Sequence, residues 1–145
     1  ENGEYDAILL SKAGIDALGF NKKISQEFNV NELIPCAGQG IIAMQCRDND
    51  NEMKYMLEKI NNEESRILAN AEREVLKILE GDCDTAIGIY AKIENEKINL
   101  KTELFSVDGR ERYFMSESGE KKSFLSLSKI IGEKLKFESK GSYKK

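Results

Sequence analysis

Hydrophobic positions along this chain fall first in short continuous runs, then at helical spacing, then at a period of two, and finally at helical spacing again. The first run, Tyr5-Asp6-Ala7-Ile8-Leu9-Leu10, has the length and composition of a buried strand. Residues 11–18 follow as a short helix, and Gly19 stands where a helix C-cap is expected. Residues 24–34 carry mixed signals and predict a short helix and a loop. The single proline, Pro35, opens a glycine-rich connection, and 41–46 is predicted as a second strand. Asn49 or Asp50 can cap a helix running to Ile60, in which Met53, Met56, Leu57 and Ile60 share a face.

A longer helix starts after Asn61-Asn62. Ile67, Leu68, Ala71, Val75, Leu76 and Leu79 make its apolar stripe, with Glu72, Arg73, Glu74 and Lys77 mostly on the other side. It runs into Leu79-Glu80-Gly81-Asp82-Cys83, after which the period changes to two. Ile87, Ile89, Ala91 and Ile93 alternate with Gly88, Tyr90 and Lys92, and beyond an Asn95-Glu96 turn Ile98, Leu100, Thr102 and Leu104 repeat the alternation. Asp108-Gly109 marks a hairpin turn, and 112–116 supply a third strand. Residues 121–137 close the pattern, with Phe124, Leu127, Ile130, Ile131 and Leu135 on one helical face, and a Lys-rich tail is expected to fray. Helix, three antiparallel strands and helix predict an α+β unit with both helices on one face of the sheet.

Charged residues make up 33% and hydrophobic ones 40% of the 145, enough for a core in one domain or one small domain plus part of another. No apolar stretch approaches the length that spans a bilayer. A net charge of −4 with Lys and Glu interspersed gives no nucleic-acid surface. The start at Glu1, without an initiator methionine and directly ahead of a strand, suggests a cut through a longer polypeptide. Three widely spaced cysteines, Cys36, Cys46 and Cys83, with no histidine in the chain, argue against a zinc site and exclude a Cys-His catalytic pair. Their odd number argues against a disulfide framework and for a reducing compartment. Cys46, in an apolar run, is expected to be a buried small hydrophobe; for Cys36, beside Gly38-Gln39-Gly40, packing is the expectation and lining a cleft the alternative. Cys83 sits on a Gly-punctuated turn between helix and strand, held at a fixed point yet accessible. The residues alone leave it open between an inert surface thiol, flanked by Asp82 and Asp84 with no cation beside it, and a covalent attachment point.

Further motifs narrow this choice. Tyr5-Asp6-Ala7-Ile8-Leu9 with Ala13-Gly14 and Leu18-Gly19, Pro35 with Gly38-Gln39-Gly40, Gln45-Cys46-Arg47, Ala71-Glu72-Arg73, and Glu80-Gly81-x-Cys83 with Ile87-Gly88 follow one another through nearly the whole chain. In this order they resemble the porphobilinogen deaminase (hydroxymethylbilane synthase) family, transferases of porphyrin, tetrapyrrole and heme biosynthesis, over the C-terminal half of that family's chain. The resemblance implies that Cys83 carries a covalently attached dipyrromethane cofactor as a thioether. Sulfur traps the electrophilic azafulvene carbon readily. On this primer four porphobilinogen units are joined with loss of ammonia, and hydroxymethylbilane is released. Gln39 matches a residue near the cofactor, while a hinge residue bonding backbone is the plainer alternative for it. The family's catalytic aspartate lies in a first domain upstream, so no catalytic residue is expected in this chain and it is expected to be inactive alone. No metal is implied.

The resemblance also implies the architecture. Residues 1–34 would finish an α/β domain of the periplasmic-binding-protein type, 35–60 would cross back to the first domain, and 61–145 would be the cofactor-carrying α+β domain. Partners would be porphobilinogen and the missing N-terminal half of the same polypeptide, in a cytoplasmic protein that is monomeric when complete, with neither nucleic acid nor membrane involved. Three positions depart from the family pattern. Ala17 replaces a frequent arginine, Asp82 a usual glycine and Ala86 a usual proline. A different class of function is an α+β ligand-binding or subunit-association module in which Cys83 is incidental, and a third is a redox protein pairing Cys83 with Cys36 or Cys46.

Overall fold

In a computed structural model that describes residues 3–144, the residues ahead of 61 hold two short helices, α1 (Lys12–Ala17) and α2 (Asn51–Glu58), and no strand. Both helices lie where the pattern placed them. Gly19, at φ 70°, follows the C-cap of α1, and the Asp50 side chain accepts the Met53 N–H at 3.0 Å to start α2. The strands expected at 5–10 and 41–46 do not form. A strand needs a neighbour to take its N–H and C=O groups, and among the described residues none pairs with either run. Ile8 stays 72% exposed and Ile42 86%. The helix expected within 24–34 is also absent. One 3-10 turn occupies Asn21–Lys23, and Asn29 folds a tight turn against Glu32 instead.

Beyond residue 61 the periods become a packed unit. Asn62 accepts the Ser65 N–H at 2.9 Å and opens α3 (Glu63–Ile78). Strands β1 (Ile87–Glu94), β2 (Lys97–Phe105) and β3 (Arg112–Glu120) pair antiparallel in the order β1-β2-β3. The β1–β2 hairpin turns on Asn95 and Glu96, both at positive φ, as a two-residue connection between twisted strands requires. A 3-10 turn at Lys121–Ser123 leads into α4 (Phe124–Ser139). In register, Ile89 faces Thr102, Ala91 faces Leu100 and Ile93 faces Ile98, and this face takes both helices: α3 lies against β1, α4 against β3, and the two helices against each other. Ala71, Val75, Leu79, Ile89, Ala91, Ile98, Leu100, Leu104, Ile131 and Leu135 make the buried core. Burying a single Leu or Ile of this set contributes about 1.5–3 kcal/mol.

Two expectations are corrected here. Glu72 does not face water with the polar side of α3; it is 5% exposed, because spacing places it beside Leu68 and Val75. Nor, among the described residues, does the Lys-rich tail fray. Lys140 and Gly141, both at positive φ, end α4 and turn the chain back, and Tyr143 is buried in the core. The segment 34–38 runs beside the outer edge of β1, where the Ile89 N–H donates to Pro35 O at 2.8 Å.

Candidate functional site

The Cys83 turn is built from the end of α3. The Gly81 N–H reaches back to Leu76 O and the Glu80 N–H to Lys77 O, each at 3.0 Å, the paired bonds of a Schellman cap. The left-handed position of that cap is Glu80, at φ 55°, not a glycine. A residue with a Cβ pays about 1–2 kcal/mol there, and the Glu80 carboxylate is gripped by Lys136 at 2.8 Å and Lys144 at 2.5 Å. These ammonium groups, Lys136 first, hold its carboxyl down at about 2. Gly81 packs closely on the helix, since a Cβ there would fall 2.6 Å from Leu76 Cδ1 and the Leu76 side chain would have to shift.

Beyond Gly81 the turn closes on itself. The Thr85 N–H donates to Asp82 O at 3.2 Å, the Asp82 N–H to Thr85 Oγ1 at 3.0 Å, and the Asp84 N–H to Asp82 Oδ1 at 2.9 Å. The Asp84 N–H, followed by the Thr85 hydroxyl, keeps the Asp82 carboxyl below its ordinary range. Cys83 occupies the crest of this turn with its thiol exposed, as its sequence setting predicted.

Gln39 lies elsewhere. Two overlapping four-residue turns present it: the Gln39 N–H donates to Cys36 O and the Ile41 N–H to Gly38 O, each at 3.1 Å. Gly38 and Gly40 stand third in these turns, at φ 78° and 81°, a position that requires positive φ. Gln39 Oε1 accepts from Cys36 Sγ at 3.2 Å, so Cys36 is an exposed thiol on the loop rather than a packed one. Cys46 is half-buried, not buried, because its run forms no strand.

Glu72, part of the Ala71-Glu72-Arg73 motif but given no role by the sequence, ties this loop to the sheet. Its carboxylate accepts the Gly38 N–H at 2.7 Å and the Ala91 N–H, on the open edge of β1, at 2.8 Å. Burial raises its carboxyl above the ordinary value against the pull of those two N–H groups. Cys36, Gln39, Glu72, Tyr90 and Lys92 line a small cavity there. Cys83 is not among them: it sits ahead of β1, and no hydrogen bond joins it to Gln39 among the described residues. A signal for Glu72 existed in its spacing of four from Leu68 and three from Val75.

Residues 1–55 match the family model described as the dipyromethane cofactor binding domain of porphobilinogen deaminase, and 66–137 match that of its C-terminal domain. The chain belongs to the porphobilinogen deaminase family. The porphobilinogen deaminase of Coxiella burnetii (strain Dugway 5J108-111) is 41% identical over 108 residues, 74% of this chain and 35% of that protein. The probable porphobilinogen deaminase of Nitrosopumilus maritimus is 37% identical over 132 residues, 91% of this chain and 42% of its own length. That of Macrococcus caseolyticus is 34% identical over 117 residues, 80% of this chain and 38% of its own length. The chain thus spans between 35% and 42% of these porphobilinogen deaminase relatives. The family model named for the cofactor covers the stretch with Gln39 and not the one with Cys83.

Proposed function

We propose that this chain is part of a hydroxymethylbilane synthase, a transferase joining four porphobilinogen units with loss of ammonia, and that Cys83 carries its dipyrromethane as a thioether. The carrying observation is the exposed Cys83 thiol on a turn that Asp82, the Asp84 N–H and Thr85 close by bonding one another. Such an exposed thiol is open to a bulky substituent. When bound, the dipyrromethane supplies an electron-rich pyrrole end as primer. Within the chain, Cys83 holds the group, the 81–85 turn fixes its origin, and Gln39 offers an amide that donates and accepts. Two roles then divide between the two matched stretches: covalent attachment from the α+β unit and contact from the first fifty-five residues.

The chain's own cations near the turn, Lys136 and Lys144, are engaged by Glu80. As the family resemblance implies, most of the charges that hold acetate and propionate side chains, and the catalytic aspartate, come from the rest of the polypeptide, and this chain alone is inactive. Exposed Ile8, Leu9, Leu10 and Ile42 support a packing partner of that kind for the segment ahead of residue 61. In the complete protein 1–34 end a periplasmic-binding-protein-like domain, 35–60 cross to the first domain, and 61–145 form the attachment domain of a cytoplasmic monomer. The test is Cys83→Ser in the complete polypeptide, assayed with Ehrlich's reagent, which colours pyrroles. We expect folded protein with little or no bound pyrrole and a small fraction of normal turnover, since oxygen is the poorer nucleophile and its ether re-ionises more easily. Full colour yield from this variant overturns the assignment.

A further inference from the structure

The last four carbonyl groups of a helix have no partner within it. In α3 all four are answered, from two directions. Gly81 and Glu80 serve Leu76 and Lys77 through the cap itself. The carbonyls of Ile78 and Leu79 are reached from the other end of the α+β unit: Lys136 Nζ donates to Ile78 O at 3.2 Å, and Tyr143 Oη to Leu79 O at 2.9 Å. Tyr143 is only 4% exposed. Its segment is anchored in turn, because the Val107 N–H donates to Ser142 O at 2.9 Å and Ser142 Oγ lies 3.2 Å from Tyr113 Oη. Lys136 and Lys144 both return to Glu80, the left-handed residue from which the Cys83 turn departs.

We infer that the segment after α4, with Lys136, is a strap that fixes the base of the Cys83 turn, and that Tyr143 and Lys136 are its positioning residues. Its meaning for catalysis rests on Cys83 being the attachment point. Cys83 follows Glu80 by three residues, at most about 10 Å of extended chain. A swing of about 10° at Glu80 would move the thiol by about 2 Å by that reach, and misplacement by about 1 Å can cost a hundredfold in rate. Bonds within 82–85 shape the turn, and on its strand side the Phe105 N–H donates to Ala86 O at 3.0 Å. On its helix side the strap holds it, because it grips the two carbonyls and the side chain immediately behind it. The matched C-terminal family model ends at residue 137, so Tyr143 and Lys144 lie outside it.

Amide hydrogen exchange of the 145-residue chain by NMR tests this, comparing Tyr143→Phe and Lys136→Met with Lys136→Arg and Cys83→Ser. Tyr143→Phe and Lys136→Met should each speed exchange at Gly81 and Thr85 by about fivefold to tenfold, the worth of one hydrogen bond. Ala91 and Leu100, in the sheet, should stay at the parental rate. Lys136→Arg should restore most of the protection, and Cys83→Ser should leave every rate unchanged. Unaltered Gly81 and Thr85 exchange in Tyr143→Phe overturns the strap, as does a uniform rise across all elements, which marks general stability alone. So does release of the turn by Cys83→Ser, since the cap would then not be what orders it. Failure of the attachment assignment reads out separately, as an unmodified Cys83 by mass in the complete polypeptide, with these exchange rates untouched.

Discussion

Replacing Glu72 with glutamine removes one acceptor from a place that holds two donors. The carboxylate takes the Gly38 N–H at 2.7 Å and the Ala91 N–H at 2.8 Å, one on each oxygen. A glutamine keeps a single oxygen and turns an NH2 toward the other donor. Ala91 is 4% exposed, so its N–H cannot turn to water, and the amide oxygen should stay with it. The Gly38 N–H is then opposed by a donor. A hydrogen bond to a charged group is worth about 1.5–3 kcal/mol. Relief of the buried charge offsets part of that, leaving Glu72→Gln about 1–2 kcal/mol less stable than the parent at neutral pH. Glu72→Ala orphans both donors and should cost about 3–4 kcal/mol.

The pH dependence has a definite sign. Burial raises the Glu72 carboxyl above its ordinary 4.5. The folded chain therefore keeps a proton that the unfolded chain has released, so the Glu72 contribution falls as pH rises from 4.5 through the raised folded value. The glutamine variant lacks that slope. Urea unfolding at a series of pH values, with exchange at Gly38 and Ala91, measures both effects. Parental stability in Glu72→Gln, with no faster exchange at Gly38, would refute the tie that Glu72 makes between loop and sheet.

Other perturbations follow from the same geometry. Gly88→Ala puts a Cβ 2.5 Å from Ile34 O, so the 34–38 segment must leave the β1 edge, at about 1–3 kcal/mol; exchange at Ile89 should rise, and an unchanged Ile89 amide would show the contact to be slack. The Glu80 carboxyl, held at about 2 by Lys136 and Lys144, contributes stability above 4.5 that is lost as pH falls toward 2. Carbon NMR titration of Lys136→Met should find that carboxyl moved up toward 4.5, and no movement would deny the grip. Cys46→Ser should cost less than about 1 kcal/mol in thermal unfolding, because a half-buried hydroxyl can reach water; a loss of several would show the thiol enclosed.

The α+β unit was legible because its elements satisfy one another within one stretch of chain. Period-two runs at 87–93 and 98–104 meet across Asn95-Glu96, and the apolar faces of the flanking helices close over them. The runs at 5–10 and 41–46 read as strands from composition, yet a ladder needs a second strand and nothing local shows whether one is present. Cys83 was legible as an exposed thiol because a helix end, a glycine and a strand start bracket it. What Gly81 does there was not, since close approach to Leu76 depends on the cap, whose left-handed residue is Glu80. Tyr143 was hidden for a different reason. A single aromatic among lysines carries no period, and its burial depends on partners more than sixty residues back. Glu72 sat between these cases, polar in type and apolar in spacing.

The central claim is that Cys83 bears the dipyrromethane. Mass spectrometry of the complete polypeptide, purified from cells making porphobilinogen and digested after denaturation, addresses it most directly. The peptide containing Cys83 should carry the mass of two linked pyrroles, and the peptides containing Cys36 and Cys46 should be unmodified. An unmodified Cys83 peptide in protein that still gives the Ehrlich colour would contradict the account.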